Sequence, residues 1–213
     1  MVRIATKLWL AFLLSTLALG ARADVPAPDA LVRDTAQEVL AAVKADKDLR
    51  NGDQKKLLEL VEAKVLPHFD FERMTRLAVG MPWRQATAEQ RQALVTEFRT
   101  LLVRTYTAAF SRYADQTVEV KAPATKPGID DVIINTLILK PGSQPIAVDY
   151  KMAKKDTGWK VYDLYVDGAS LVATYRGTFG ETVQQSGIDG LIKMLADKNR
   201  ANAKEPINKA QPK

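Results

Sequence analysis

The sequence predicts an α+β domain in which a four-stranded antiparallel meander is wrapped by helices from both ends of the chain. Three observations carry this. Apolar residues recur at a period near 3.6 from Pro28 to about Ala114, switch to a period of 2 from Thr117 to Asp167, and return to the helical period from Ala169 to about Arg200. The alternating blocks are separated by Lys126-Pro127-Gly128, Pro141-Gly142-Ser143 and Asp156-Thr157-Gly158, short polar turns of the kind that join antiparallel neighbours. Of the 213 residues, 46% are hydrophobic and 26% charged, enough apolar material for one well-buried core.

Each element has a local cause. Pro28 and Asp29 open a first helix with Leu31, Val32, Thr35, Ala36, Val39, Leu40 and Val43 on one side. Asn51-Gly52 breaks the chain, and Asp53 begins a second helix carrying Leu57, Leu58, Val61 and Val65 until Pro67 stops it. A short third helix, Asp70 to Val79, places Phe71, Met74, Leu77 and Ala78 together, with Gly80 as its C-terminal cap. Thr87-Ala88-Glu89-Gln90 fits a capping box. The helix it starts, Ala88 to Ala114, would be about 40 Å long at ~1.5 Å per residue and carries Leu94, Phe98, Leu101, Leu102, Thr105, Ala109 and Tyr113. Strands follow at Thr117–Lys121, Asp131–Lys140, Pro145–Ala153 and Trp159–Asp167. Two helices close the body: Ala169 to Gln185, with Val172, Tyr175, Phe179 and Val183 on one line, and Ile188 to about Arg200, with Ile192 and Leu195.

Residues 1–23 read as a secretory signal peptide. Arg3 and Lys7 precede an apolar run of 12 residues, Leu8 to Leu19, and Ala21-Arg22-Ala23 supplies small residues before the cleavage site. That run is well short of the roughly 20 residues that span a bilayer. The mature part is then a folded domain, 24–200, and a basic tail, 201–213, whose Pro206, Pro212 and near-absence of apolar residues predict disorder. The net charge of +6 sits at the ends: +3 leaves with the leader and +4 lies in the last 16 residues, so the body from Asp24 to Asp197 is near −1. Nothing in that distribution makes a nucleic-acid surface.

The chemistry is bounded by what is missing. With no cysteine and the single histidine His68, thiol nucleophiles, disulfides and sites needing two imidazoles are excluded. Gly177-x-x-Gly180 and Gly187-x-x-Gly190 lack the setting of a phosphate loop. Asp46, Asp48, Arg50, Asn51, Gly52 and Asp53 fail the calcium-loop pattern at its fifth, sixth and twelfth positions and read as a helix connection. Asp163 and Asp167 share a strand face at about 13 Å, too far to act as a pair, and Asp167-Gly168 reads as a turn. His68 reads as a surface or hinge residue, Trp83 as packing, and the arginines on the helices as solvated faces.

The strands carry more apolar residues than a half-wet sheet requires. Val132, Ile134 and Ile138 oppose Ile133, Leu137 and Leu139, while Tyr162, Leu164 and Val166 oppose Val161 and Tyr165. Either helices sandwich the sheet, or one face closes a packed core while the other, with the stripe Val172, Tyr175 and Phe179, lines a cavity. Periodicity leaves both open.

Two blocks are more specific. The first comprises His68-Phe-Asp-Phe-Glu-Arg-Met-Thr-Arg-Leu77, Trp83-Arg-Gln-Ala-Thr-Ala-Glu-Gln-Arg91, Phe98-Arg-Thr-Leu-Leu-Val-Arg-Thr-Tyr106 and Tyr113-x-x-Gln116-Thr-Val-Glu-Val120. The second comprises Trp159-Lys-Val-Tyr-Asp163, Asp167-Gly-Ala-Ser-Leu171 and Tyr175-Arg176 with Phe179. Together, over roughly Asp29 to Leu195, they resemble the MlaC family of periplasmic phospholipid carriers, also known as toluene-tolerance auxiliary proteins. Met81-Pro82 departs from the polar residue and tyrosine expected there.

The resemblance implies a strongly twisted four-stranded sheet wrapped by about six helices, distantly like the cone-shaped nuclear-transport-factor fold, with a deep apolar cavity for acyl chains and the headgroup outside. It implies a lipid carrier in the periplasm rather than an enzyme, with phospholipid as cargo and no cofactor or metal. It also implies two partners: an outer-membrane lipoprotein bound to a porin, and an inner-membrane ABC transporter with a lipid-binding substrate domain. On this reading the cavity candidates are Tyr106 and Phe110 from the long helix, Ile134, Ile138, Val148, Tyr150 and Leu164 from the sheet, and Val172, Tyr175 and Phe179 from the following helix. A chamber of order 1,000 Å³ would suit such cargo. Two rival readings are an enzyme using Asp149 as base with Tyr162 as electrophilic partner, and a solid interaction module docking through its arginine-rich helices.

Overall fold

The computed structural model describes residues 26–111, 116–121 and 129–204, without the side chains of 108–111 and 204. The expected leader and most of the expected tail therefore lie outside the described residues. The helices are α1 (Pro28–Ala45), α2 (Lys47–Arg50), α3 (Gln54–Lys64), α4 (Phe71–Val79), α5 (Ala88–Ser111) and α6 (Leu171–Lys204), with 3₁₀ turns at Leu66–His68 and Met81–Arg84. The strands are β1 (Thr117–Val120), β2 (Asp131–Leu139), β3 (Ile146–Lys155), β4 (Gly158–Val166) and β5 (Ala169–Ser170). They form one antiparallel sheet in chain order.

Local signals account for most boundaries. Asp53 accepts from the Lys56 amide, and Asp70 from the Arg73 amide, as helix N-caps. Thr87 and Gln90 exchange hydrogen bonds of 3.2 and 3.0 Å, a capping box for α5. Asp46 and Asp48, in the connection between α1 and α3, pair with Lys56 Nζ at 2.9 and 2.7 Å.

Two features differ from expectation. The sheet has five strands, not four: Asp167 (φ 48°) and Gly168 (φ 83°) make a tight turn that folds Ala169–Ser170 back onto Tyr165–Val166. The last two expected helices are both present, as the two arms of α6 on either side of Gly187, whose φ 70° and ψ −172° are not helical. The second arm continues through 201–204, into the segment read as tail.

The core has two main parts, besides a small cluster of Val43, Leu49 and Leu57 where α1, α2 and α3 meet. The larger is helical, with α4 and α5 packed on α6: Phe98, fully buried, meets Tyr175 and Phe179 edge-on with ring centroids at 5.0 Å each. Met74, Leu94, Leu101, Val172, Leu191 and Leu195 complete it, and it reaches the sheet at Ala153 and Tyr162. The smaller lies under α1, where Val32 packs with Val132, Ile134, Met152, Trp159 and Val161.

A β-bulge joins the two. Lys151 pairs with Asp163 but Met152 with Val161, leaving Tyr162 as the extra residue. The Tyr162 hydroxyl donates to Asp131 at 2.5 Å, Arg73 donates to the same carboxylate at 2.9 Å, and the guanidinium lies 3.5 Å above the Tyr162 ring. Burial and the Asp131 contact push the Tyr162 phenol up to about 12.

Asp163, read from sequence only as a strand carboxylate, is buried and builds the start of α6. It accepts from the Leu164 amide (2.9 Å), the Ser170 hydroxyl (2.7 Å) and the Val172 amide (3.1 Å). Asp163→Ala removes a buried acceptor and strands its donors, with an expected loss of about 2–3 kcal/mol, read as a lower urea midpoint at unchanged m-value.

Candidate functional site

β3 alternates so that Val148, Tyr150 and Met152 face one way, joined by Ile138 of β2, Val118 of β1, and Val161 and Leu164 of β4. α1 lies across this face and turns its stripe toward it: Leu31, Val32, Thr35, Ala36, Val39 and Leu40. Between them is an almost wholly apolar chamber of about 240 Å³, lined also by Val65, His68, Phe69, Tyr106 and Gln116. A second chamber of about 100 Å³, walled by α3, α4 and α5, shares Val65, Phe69, Tyr106 and Leu164 with the first.

Phe69 stands between the two chambers and is held there by backbone. It bridges Val161 in parallel fashion, Asp70 N–H donates to the Val161 carbonyl at 2.8 Å, and Lys160 Nζ donates to the Pro67 carbonyl at 2.6 Å. Its ring stacks on Phe71 at 5.7 Å.

Of the cavity candidates, the structure brings Tyr106, Ile138, Val148, Tyr150 and Leu164 to the chamber wall. Ile134 is fully buried in the small core beside it. Val172, Tyr175 and Phe179 belong to the helical core and line neither chamber; α6 faces α5, and the wall opposite the sheet is α1. Phe110 lies on α5, with its side chain outside the described residues. The chambers together hold about a third of the ~1,000 Å³ expected. The opposite sheet face leaves Ile133 half exposed.

Sequence reading missed the α1 stripe as a cavity wall, although it had the residues, because a stripe facing a chamber and one facing a solid core have the same period. It also missed Val65, His68, Phe69, Gln116 and Val118. His68, read as a surface residue, has its imidazole held below the usual range first by burial and then by Lys160, with Glu38 pulling the other way. The neutral ring is therefore favoured in the fold. Above about 6.5 both states are neutral; as pH falls through that value the unfolded chain takes up the proton first, so stability declines. Urea midpoints at pH 7 and pH 5 are expected to differ more for the wild type than for His68→Gln.

The polar groups around the chambers are few. Tyr106 and Tyr175 share a hydrogen bond, and Thr105 adds another to Tyr175; burial raises both phenols, Tyr175 the more strongly. Thr136 donates to the Val148 carbonyl at 2.7 Å. The proposed pair Asp149 and Tyr162 is not assembled: Tyr162 is committed to Asp131, and Asp149 alternates away from the chamber. Among the described residues no cluster could hold a metal ion, and no helix is long and apolar enough to cross a membrane.

Fold and site together define an α+β protein with an apolar chamber between its first helix and its sheet. The family model for MlaC protein matches residues 33–197, and the chain belongs to that family. It is 26% identical over 185 residues to the intermembrane phospholipid transport system binding protein MlaC of Haemophilus influenzae, covering 84% of each chain. It is 24% identical over 163 residues to toluene tolerance protein ttg2D of Pseudomonas putida, covering 76% of this chain and 75% of that one. Among solved structures it is similar to a phospholipid-binding protein from Ralstonia solanacearum in complex with a phospholipid, with a TM-score of 0.77 and 37% identity, covering 83% of this chain and 98% of that one.

Proposed function

We propose that this protein is a soluble periplasmic phospholipid carrier that moves diacyl lipids between the outer and inner membranes, burying the acyl chains and leaving the headgroup outside. The observation that carries the reading is the apolar chamber under α1 in a chain whose relative of known structure holds a phospholipid. Two acyl chains expose about 30 methylenes, and at ~0.8 kcal/mol each their transfer through water would cost on the order of 25 kcal/mol. A greasy chamber removes that barrier, and exchange between two apolar sites needs no catalytic residue. Chain burial is indifferent to headgroup, so selectivity falls on the tails.

In this reading the helix-wrapped sheet works as a cone closing on a deep cavity, with Tyr106, Ile138, Val148, Tyr150 and Leu164 against the chains. Because the chambers as they stand are small, loading widens them. Residues 1–23 direct export and are removed. The protein receives and delivers cargo at an outer-membrane lipoprotein–porin complex and an inner-membrane ABC transporter with a lipid-binding substrate domain. Purification of the mature protein from cells, with native mass spectrometry and organic extraction, is expected to recover stoichiometric diacyl phospholipid. A repeatedly empty protein would overturn the proposal.

A further inference from the structure

Two polar side chains around the chambers stand apart from all the others. Thr107 is 1% exposed and Gln116 is 6% exposed, and neither the Thr107 hydroxyl nor Gln116 Oε1 has a hydrogen-bond partner. This is not what threonine does elsewhere in these helices: Thr75, Thr96, Thr100, Thr174 and Thr182 each donate to the carbonyl four residues back. Buried polar atoms without partners are disfavoured, and here one lines each chamber, Thr107 the smaller and Gln116 the larger. Tyr106, Tyr175, Thr105 and Thr136 cannot relieve them, being already paired among themselves or to backbone.

We infer that Thr107 and Gln116 hold the two ester carbonyls of a diacyl cargo, one at the head of each chain. The inference rests on the carrier reading and names what that site recognises. Below its phosphate a diacyl lipid has only hydrocarbon and two ester groups, so the esters are the only parts of it that can answer a hydrogen-bonding group inside an apolar chamber. The Thr107 hydroxyl donates directly. The Gln116 carboxamide, turned through half a turn, brings Nε2 to where Oε1 stands and donates in the same way. Two such contacts set how far each chain is drawn in, and they distinguish ester-linked lipids from ether-linked ones that match them in shape and headgroup.

The test is a competition. The full mature protein is incubated with vesicles holding equal amounts of dipalmitoyl phosphatidylethanolamine and its di-O-hexadecyl ether analogue, and native mass spectrometry reads which lipid is loaded. At about tenfold per hydrogen bond, the ester form is expected to exceed the ether form at least tenfold. Thr107→Val and Gln116→Leu, which keep shape and remove the donor, each bring the ratio toward unity; Thr107→Ser keeps the preference. Equal loading of the two lipids by the wild type overturns the inference and leaves the carrier reading intact, as does a preference unchanged in both donor-less variants. Loading of neither lipid overturns the carrier reading itself. Should a variant fail to fold, the wild-type ratio decides alone.

Discussion

Ile138→Glu is expected to give a folded protein without cargo. Ile138 sits on β2 opposite Ile146 and beside Val118, with its side chain on the chamber wall and only partly buried. A carboxylate there can reach water through the open side of the chamber, so the cost to folding stays near 1–2 kcal/mol. Acyl chains packed against it would strip that water away, and a desolvated charge costs several kcal/mol, enough to lower occupancy a thousandfold or more. The check is a native circular-dichroism spectrum together with loss of extractable lipid. A variant that still carries stoichiometric lipid would remove Ile138 from the site.

Val172→Glu is expected to do the opposite: no folded protein at all. Val172 is 5% exposed in the helical core, in a cluster with Phe98, Phe179 and Leu195, and its amide is already held by Asp163. The cluster it packs in is made of apolar and aromatic side chains. The penalty of several kcal/mol compares with the 5–15 kcal/mol that typically separates folded from unfolded states. Far-ultraviolet circular dichroism and a proteolysis time course read the outcome, and a native-like, resistant Val172→Glu would mean that the helical core is not solid.

The contrast between these two substitutions shows where sequence reading succeeds and stops. Periodicity placed Val172 and Leu31 on helical stripes, and both stripes exist, because helix and strand period are set by local backbone geometry. Which stripe faces a void is decided by how the elements dock, and the α6 stripe turned to α5 while the α1 stripe turned to the sheet. Thr87 and Gln90 were legible because a capping box lies within four residues. Asp163 was not, because the amide of Val172 and the hydroxyl of Ser170 come to it only through the turn at Asp167-Gly168. A two-residue strand such as β5 is too short to alternate. Thr107 looks like any threonine in a helix until its neighbours are known.

The strand order of the sheet bears on how the molecule assembles. Each strand pairs with its neighbour in the chain, so β1 to β5 can zip together through a succession of short loop closures, each entropically cheap. α1 comes to β1 and β2 only after α2, α3, α4 and α5 have intervened along the chain. Closing the chamber is thus the long-range step, and a chain emerging amino end first makes α1 long before the surface it must cover. Until that helix docks, the greasy face of the meander stays open, so a lipid present during refolding should speed recovery of the native form.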